Sequence, residues 1–262
     1  LQLWHEGAFR KEEDEHGNKT GAPTISPSGL MAPGHPRGRA ATAEELEGIK
    51  DAFVATALLA QRAGAHGVEL HGAHGYFLDQ CLWARTNRRE DAYGGPSVAD
   101  RVRYPASVAS AVREACGSDF IISFRLSQWK QIDLAARIAD TPEEFGVIVT
   151  TLKEAGLDML HISTRRFWES AWPGSDKTLS AWARELSGLP VITVGSVGLS
   201  ADIMQTIQGV GAENRVDASI ALLERGLQRG DFDLVAVGRG QLGDPDWVRK
   251  VRERRFADII PF

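Results

Sequence analysis

Apolar runs bounded by glycine, proline and polar clusters predict six short strands along the chain. Each run is apolar on both faces, which is typical of strands in a buried parallel sheet, because helices cover one side and a closed interior the other. The predicted strands span Leu1–Trp4, Gly67–His71, Phe120–Leu126, Met159–Ser163, Val191–Val197 and Leu234–Gly238.

Amphipathic segments with recognisable starts lie between these strands. Thr42 and Glu45 form a capping-box pattern ahead of an apolar stripe, which predicts a helix running to about Arg62. Thr141 followed by Pro142 predicts a second helix start of the same kind. The other predicted helices run from the cap Ser97 to near Gly117, span Leu179–Leu186, Ala201–Gln208 and Val216–Gln228, and open at Asp244–Trp247.

The alternation of strands and helices predicts an α/β fold with a parallel sheet, either open or closed into a barrel. No GxGxxG pattern follows the first strand, and no domain boundary is evident in the 262 residues. The segment Gly21–Arg39 is rich in proline, glycine and serine, and it is predicted to be a long active-site loop rather than a linker.

Composition and charge exclude several classes of partner. The chain is 43% hydrophobic and 25% charged with a formal net charge of -5, which is typical of a globular protein and gives no footprint for nucleic acid or anionic lipid. A stretch of about 20 apolar residues that could span a bilayer is lacking, as is a secretory signal pattern. A cytoplasmic location is therefore predicted.

The cysteine pattern gives no support for a disulfide or a metal site. Cys81 and Cys116 are the two cysteines, with neither CxxC spacing nor histidines at metal-site intervals. Both are predicted to be reduced thiols, and no metal ligands are assigned.

Two imidazoles and a phenol follow the second predicted strand. His71, His74 and Tyr76 lie within six residues, at the strand end where parallel barrels carry reactive groups. Three converging donors suit stabilisation and protonation of a developing enolate. Two histidines in a loop are also typical of hydrogen-bonded structure or of a chance metal-like pair, so spacing leaves these interpretations open.

Glycine-opened turns follow the last two predicted strands. The pairs Gly195-Ser196 and Gly238-Arg239 are placed where late barrel strands hold a phosphate, with Arg239 adding a cation to the backbone N–H groups. Glycine in such turns also has purely steric uses, which is the alternative interpretation.

Arg125 ends a largely apolar strand and is predicted to point into the barrel mouth. A buried guanidinium needs an anionic or electron-rich partner. The partner is either a carboxylate such as Glu69 or a reduced cofactor ring.

These residues together resemble the Old Yellow Enzyme family. The segment Gly67–Gln80, continuing into Thr86–Gly95, closely resembles the family's fourth strand and the loop after it. Matches to the third, fifth, seventh and eighth family strands occur in order at Gln2–His5, Phe124–Ser127, Val194–Val197 and Val237–Gly240.

The resemblance implies a TIM (β/α)₈ barrel that binds FMN, accepts electrons from NADH or NADPH, and reduces activated C=C bonds of α,β-unsaturated carbonyl or nitro compounds. The family barrel has two further strands before the matched ones. Residues 1–262 are therefore expected to form a single FMN-binding barrel domain that lacks its first two strands. A flavin-dependent amine dehydrogenase or demethylase, or a non-catalytic truncated barrel, are the alternatives, and a homo-oligomer is compatible with each.

The resemblance also implies roles for individual residues. Gln2 is expected to bond the flavin pyrimidine edge, and Arg125 to lie near N1 and O2. His71 and His74 are expected to donate to the substrate's carbonyl or nitro oxygen, and Tyr76 to protonate the α-carbon. Both glycine-opened turns are assigned to the FMN phosphate.

Overall fold

The structure is a computed structural model that describes residues 1–13, 16, 19, 21 and 23–262. Contacts divide the chain into two compact units, Leu1–Leu160 and His161–Phe262. Ala22, which belongs to the predicted loop Gly21–Arg39, lies outside the described residues.

The first unit alternates strands with helices along most of its length. Its opening strands and first helix are β1 (Gln2–Leu3), β2 (Ile25–Ser26), β3 (Leu30–Ala32), β4 (His35–Pro36), β5 (Arg39–Ala40) and α1 (Ala43–Arg62). They are followed by β6 (Gly67–His74), α2 (Phe77–Leu82), α3 (Val98–Arg101), α4 (Arg103–Cys116), β7 (Ile121–Lys130) and α5 (Pro142–Glu154).

Parallel pairing of β1, β6 and β7 builds the sheet of the first unit. Gln2 lies opposite Glu69, and His71 lies opposite Arg125. The predicted side chains at these strand ends therefore come from directly neighbouring strands.

The strands β6 and β7 continue beyond the ends predicted for them, which were His71 and Leu126. The ladder shifts register between Gly72 and His74, so that His74 lies opposite Lys130. A Cβ atom on Gly72 would lie 2.1 Å from the Phe124 ring, so only glycine permits this close approach. The pairing of two strands beyond such a register shift depends on contacts between distant residues, so a local sequence pattern does not predict it.

The capping pattern of α1 forms as predicted. The Thr42 side chain accepts from the Glu45 backbone N–H, and the Glu45 carboxylate accepts from the Thr42 backbone N–H. The helix runs to Arg62, and its buried face carries Leu46, Ile49, Phe53, Ala57 and Ala60.

Two other predictions in this unit need correction. The helix predicted from Ser97 to near Gly117 is divided at Val102 into α3 and α4, although the Ser97 cap is present. The predicted loop Gly21–Arg39 contains short strands, of which β3 and β4 form an antiparallel pair. Gly34 has a φ of 73° in the turn between them, a conformation that glycine adopts without a steric penalty.

The strand β8 (Met159–Ser163) begins in the first unit and continues in the second. The second unit then contains α6 (Leu179–Ser187), β9 (Val191–Val194), α7 (Ile203–Ile207), α8 (Val216–Arg229), β10 (Leu234–Val235), α9 (Arg239–Gly243) and α10 (Trp247–Arg252). The pair β9 and β10 is parallel.

The strands of the second unit are shorter than predicted. The strand β9 ends at Val194 rather than Val197, because Ser196 adopts a φ of 51° and leaves the extended conformation. The strand β10 ends before Gly238. The last helix begins at Trp247. The Asp244 carboxylate lies directly ahead of it and accepts from the Asp246 backbone N–H at 3.0 Å and from Lys250 Nζ at 2.6 Å.

Parallel strands that alternate with helices confirm the predicted α/β fold in each unit. Within the described ranges, no helix is long and apolar enough to cross a membrane.

Candidate active site

The three predicted catalytic side chains lie together on one turn, residues 71–76, which we call the histidine turn. The ring centroids of His71 and His74 are 5.2 Å apart, and those of His71 and Tyr76 are 5.3 Å apart. His71 is buried, whereas His74 and Tyr76 are partly exposed. Imidazole N–H and phenol O–H groups at this spacing are able to donate to a single small ligand.

The backbone of the histidine turn is sharply bent. His74 has a φ of 65° and Gly75 a φ of 90°, both in the left-handed region. A Cβ atom on Gly75 would lie 2.9 Å from the Phe9 ring, so glycine is required there for space as well as for conformation.

Aromatic rings surround the histidine turn. Trp4 packs edge-on against Tyr76 with centroids 4.6 Å apart, and Phe9 lies 5.4 Å from the same ring. Trp129 lies 4.6 Å from His74. These rings were not predicted as site residues, although Trp4 and Trp129 lie close to the predicted ends of two strands.

Buried polar groups fix the backbone of the turn. The His74 N–H donates to Ser127 Oγ at 2.9 Å, and the Gly75 N–H donates to the Asp79 carboxylate. Gln80 Nε2 donates to the Gly75 carbonyl oxygen at 2.6 Å. None of these partners was predicted from the sequence. Ser127 belongs to another strand, and no apolar or capping pattern marks the contacts of Asp79 and Gln80 with Gly75.

Asp79 is paired with Lys130, and both side chains are fully buried. Burial raises the pKa of Asp79 to about 6, although the charge of Lys130 and the hydrogen bonds to Lys130 and Gly75 act in the opposite direction. Burial also lowers the pKa of Lys130, against the attraction of Asp79.

The predicted flavin-edge residues of the first unit share a carboxylate. Gln2 Nε2 donates to Glu69 Oε1 at 2.7 Å, and Ser123 Oγ donates to Glu69 Oε2 at 3.2 Å. Burial lowers the pKa of Arg125, and the charge of Glu69 partly offsets this. The charge of Glu69, the carboxylate that the alternative interpretation names, is thus felt by Arg125. Guanidinium and amide N–H groups are also donors of the kind that suits a flavin ring.

In the second unit, the predicted phosphate residues Ser196 and Arg239 come together. Arg239 Nη2 donates to Ser196 Oγ at 3.5 Å, and Arg239 Nη1 donates to Thr206 Oγ1 at 2.7 Å and to the Ala201 carbonyl oxygen at 2.9 Å. Burial lowers the pKa of Arg239, with the charge of Asp202 acting against it.

The two predicted glycines have different surroundings. A Cβ atom on Gly195 would lie 2.5 Å from the Thr164 carbonyl oxygen, so a side chain is excluded there. A Cβ atom on Gly238 would meet no described atom within 4 Å, so the space beside its backbone is open. Open backbone next to Arg239 is the kind of surface that a phosphate group contacts.

Two further arginines, which sequence reasoning missed, follow β8. Arg165 Nη2 lies 2.5 Å and Arg166 Nη2 3.6 Å from Oδ2 of the buried Asp202. We call Arg165, Arg166, Arg239 and Asp202 the arginine corner. The strand-end rule, applied a few residues beyond the predicted strand Met159–Ser163, would have found Arg165.

Asp202 anchors the arginine corner. Its carboxylate accepts from the backbone N–H groups of Met204 and Gln205 at 2.9 and 3.0 Å. Burial on its own would raise the pKa of Asp202, but these hydrogen bonds and the Arg165 guanidinium outweigh it, and the pKa is lowered. Arg166 also pairs with Glu169 at 3.3 Å, so three guanidinium groups face two carboxylates, and one positive charge is left in excess. This excess suits an anionic phosphate.

The family model for the NADH:flavin oxidoreductase / NADH oxidase family matches residues 1–258. The NADH oxidase of Thermoanaerobacter brockii is 32% identical over 270 residues, which cover 99% of this chain and 37% of that protein. The NADH:acrylate oxidoreductase of Vibrio harveyi is 28% identical over 274 residues, which cover 99% of this chain and 24% of that protein.

A solved structure of a morphinone reductase mutant in complex with tetrahydroNAD matches the fold. Its TM-score is 0.75 at 25% identity, and the match covers 100% of this chain and 66% of that one. The chain thus spans well under two thirds of the two curated relatives and about two thirds of the solved structure.

Proposed function

Because this chain belongs to the NADH:flavin oxidoreductase / NADH oxidase family, we propose that it uses NADH or NADPH to reduce activated C=C bonds of α,β-unsaturated carbonyl or nitro compounds. The family, the enzyme class, the barrel fold, and FMN with a nicotinamide cofactor are confirmed as the sequence predicted them. The alkene substrate, the oligomeric state and the cytoplasmic location stay predictions.

The convergence of His71, His74 and Tyr76 carries the proposal. His71 and His74 would donate to the oxygen of the alkene's activating group, which draws electron density from the β-carbon. Tyr76 would deliver a proton to the α-carbon. Bound FMN, reduced by the nicotinamide, supplies the hydride.

Gln131 supports the assignment of Tyr76 as a proton donor. Gln131 Nε2 donates to the Tyr76 hydroxyl oxygen at 3.1 Å. Since this bond uses a lone pair of the phenol, the Tyr76 O–H remains able to donate to a substrate.

Each unit offers donors that suit a different part of FMN. In the first unit, Gln2 and Arg125 would donate to the flavin ring, and Arg125 would stabilise negative charge on the reduced ring. In the second unit, Gly195, Ser196, Gly238 and Arg239 would hold the phosphate, because the open backbone at Gly238 and the excess charge of the arginine corner fit that group.

The acrylate oxidoreductase supports alkene reduction as the class of reaction, since acrylate is an α,β-unsaturated acid. Unsaturated acids should therefore be assayed beside 2-cyclohexenone and a nitroalkene. The name of the Thermoanaerobacter brockii relative points to oxygen as another electron acceptor, so these assays require anaerobic conditions.

Tyr76→Phe tests the proposal in the FMN-loaded protein. We expect anaerobic reoxidation of the reduced flavin by an alkene to slow by roughly 100-fold or more, because the proton donor is lost. Reduction of the flavin by NADH should be unaffected. Stopped-flow absorbance measures the two half-reactions separately.

Tyr93→Phe is the matched control, because it removes a phenol that bonds Glu47 at 3.0 Å, outside the histidine turn. It should leave both half-reactions at the parent rates. An equal loss in both half-reactions for Tyr76→Phe would contradict the role of Tyr76 as proton donor.

A further inference from the structure

A buried ammonium group lies beneath the histidine turn. Lys130 Nζ lies 2.7 Å from Asp79 Oδ1, and it also donates to the carbonyl oxygens of Gln128 at 2.8 Å and Ser127 at 3.3 Å. The Trp83 ring centroid lies 5.7 Å away. An ammonium has three N–H donors, and these contacts use all of them.

The second carboxylate oxygen of Asp79 bonds the turn itself. Asp79 Oδ2 accepts from the Gly75 N–H, directly after His74 with its φ of 65°. A left-handed conformation at a residue other than glycine costs about 1–3 kcal/mol and persists only where neighbouring contacts impose it. Asp79 thus links the buried ammonium to the most strained part of the turn.

Stability alone does not account for this ion pair. Removing two charges from water costs several kcal/mol per ion, and apolar residues of similar volume fill such a space at equal or lower cost. An ion pair that is completely buried and hydrogen-bonded at both ends fixes geometry more strictly than apolar packing does.

We propose that Asp79 and Lys130 are positioning residues, which together hold the Gly75 backbone so that the His74 and Tyr76 side chains face the substrate. For its effect on turnover, this inference rests on the proposed function of the histidine turn. The residue directly after β7 supports it, because the Gln131 N–H donates to the His74 carbonyl oxygen at 3.4 Å.

Three variants separate the acceptor for Gly75 from the charge of the pair. Lys130→Met leaves a buried carboxylate without its cation. The double variant Asp79→Asn/Lys130→Met carries no charge and keeps an oxygen acceptor for the Gly75 N–H. The double variant Asp79→Leu/Lys130→Met is also uncharged but has no acceptor, so these two doubles form a matched pair even if Lys130→Met fails to fold.

Two measurements on the FMN-loaded proteins test the proposal. Hydrogen exchange of the Gly75 amide reports the turn directly, and the rate of alkene-dependent flavin reoxidation reports its consequence. For Asp79→Leu/Lys130→Met we expect exchange to rise and reoxidation to fall by at least about tenfold, because small misplacements of catalytic groups are costly. Asp79→Asn/Lys130→Met keeps the acceptor but loses the charged anchor, so we expect values between those of the parent and those of the leucine variant in both measurements.

Equal values for the two double variants in both measurements would overturn the proposal, as the acceptor would then have no positioning effect. Unchanged exchange at Gly75 in the leucine variant would also overturn it. Failure of the proposed function looks different: Tyr76→Phe would then reduce alkenes at the parent rate, while the difference in Gly75 exchange between the two doubles persisted.

Discussion

The histidine turn of the first unit and the arginine corner of the second unit hold charge in opposite ways. Beneath the turn, Asp79 and Lys130 are 0% exposed and satisfy each other. In the corner, the Arg165 and Arg166 side chains are 29% and 25% exposed, and they share the single buried carboxylate of Asp202. The charges beneath the turn balance each other without a ligand, whereas the corner has excess positive charge that can bind an anionic ligand.

The two regions therefore contribute different properties to the protein. A closed and satisfied ion pair fixes a backbone, and its loss should appear as a change in stability and geometry. A partly exposed excess of charge binds an anion, and its loss should appear as a change in affinity. Substitutions in one region should therefore leave the property of the other region unchanged.

Lys130→Met should lower the free energy of unfolding by about 3–5 kcal/mol, because it leaves the Asp79 carboxylate buried without a partner. Urea denaturation measures the change. Lys50→Met is the control, since the Lys50–Glu47 pair is on the surface and its loss should cost less than about 1 kcal/mol. Similar losses for the two variants would contradict the special status of the buried pair.

Arg239→Gln should weaken FMN binding by roughly 10- to 100-fold, the usual value of a hydrogen bond to a charged group. The free energy of unfolding of the FMN-free protein should change by less than about 1 kcal/mol. Fluorescence titration of FMN measures the affinity. Arg225→Gln is the control, because Arg225 lies on the exposed face of α8, and it should bind FMN like the parent. If Arg239→Gln lowered the stability without lowering the affinity for FMN, the arginine corner would not be the part that binds the anion.

Asp79 should make the stability of the first unit pH-dependent. Its folded-state pKa of about 6 lies above the usual value of 3.8, so the native state binds this proton more tightly than the unfolded state does. The resulting stabilisation is fully present below about pH 4 and is lost as the pH rises through about 6. Burial lowers the pKa of Lys130 below its usual value of 10.5, so the native state binds this proton less tightly than the unfolded state does. Lys130 therefore makes the protein more stable as the pH rises towards 10.5, which is the opposite direction.

The measurement is the free energy of unfolding from pH 4 to 7 for the parent and for Asp79→Asn/Lys130→Met. Relative to this double variant, the parent should lose roughly 2 kcal/mol over that range. A constant difference between the two proteins would show that Asp79 does not titrate in this window.

Much of the candidate site followed from strand ends in the sequence. His71 and Arg125 were selected because reactive groups gather where parallel strands end, and the structure places them opposite one another. Ser196 and Arg239 were selected by the same rule, and they are hydrogen-bonded. The rule succeeds because it depends only on locating strands, which apolar runs mark locally.

The supporting contacts could not be found in this way. Asp79 and Lys130 are 51 residues apart and belong to different elements, so no local pattern relates them. The true ends of β6 and β7 depend on a register shift, which arises from the pairing of two strands rather than from either one. What the sequence left out therefore includes the long-range contacts of Asp79 and Ser127 that help to fix the turn.

The register shift after Gly72 has a consequence for transplanting this site into another protein. In a regular strand, residues three apart point to opposite faces, so His71 and His74 would be separated by the sheet. The shift and the left-handed conformation of His74 instead bring the two rings within 5.2 Å. A designer who grafts the His-Gly-Ala-His sequence onto an ideal strand would therefore reproduce the residues of the motif but not the proximity of its two imidazole rings.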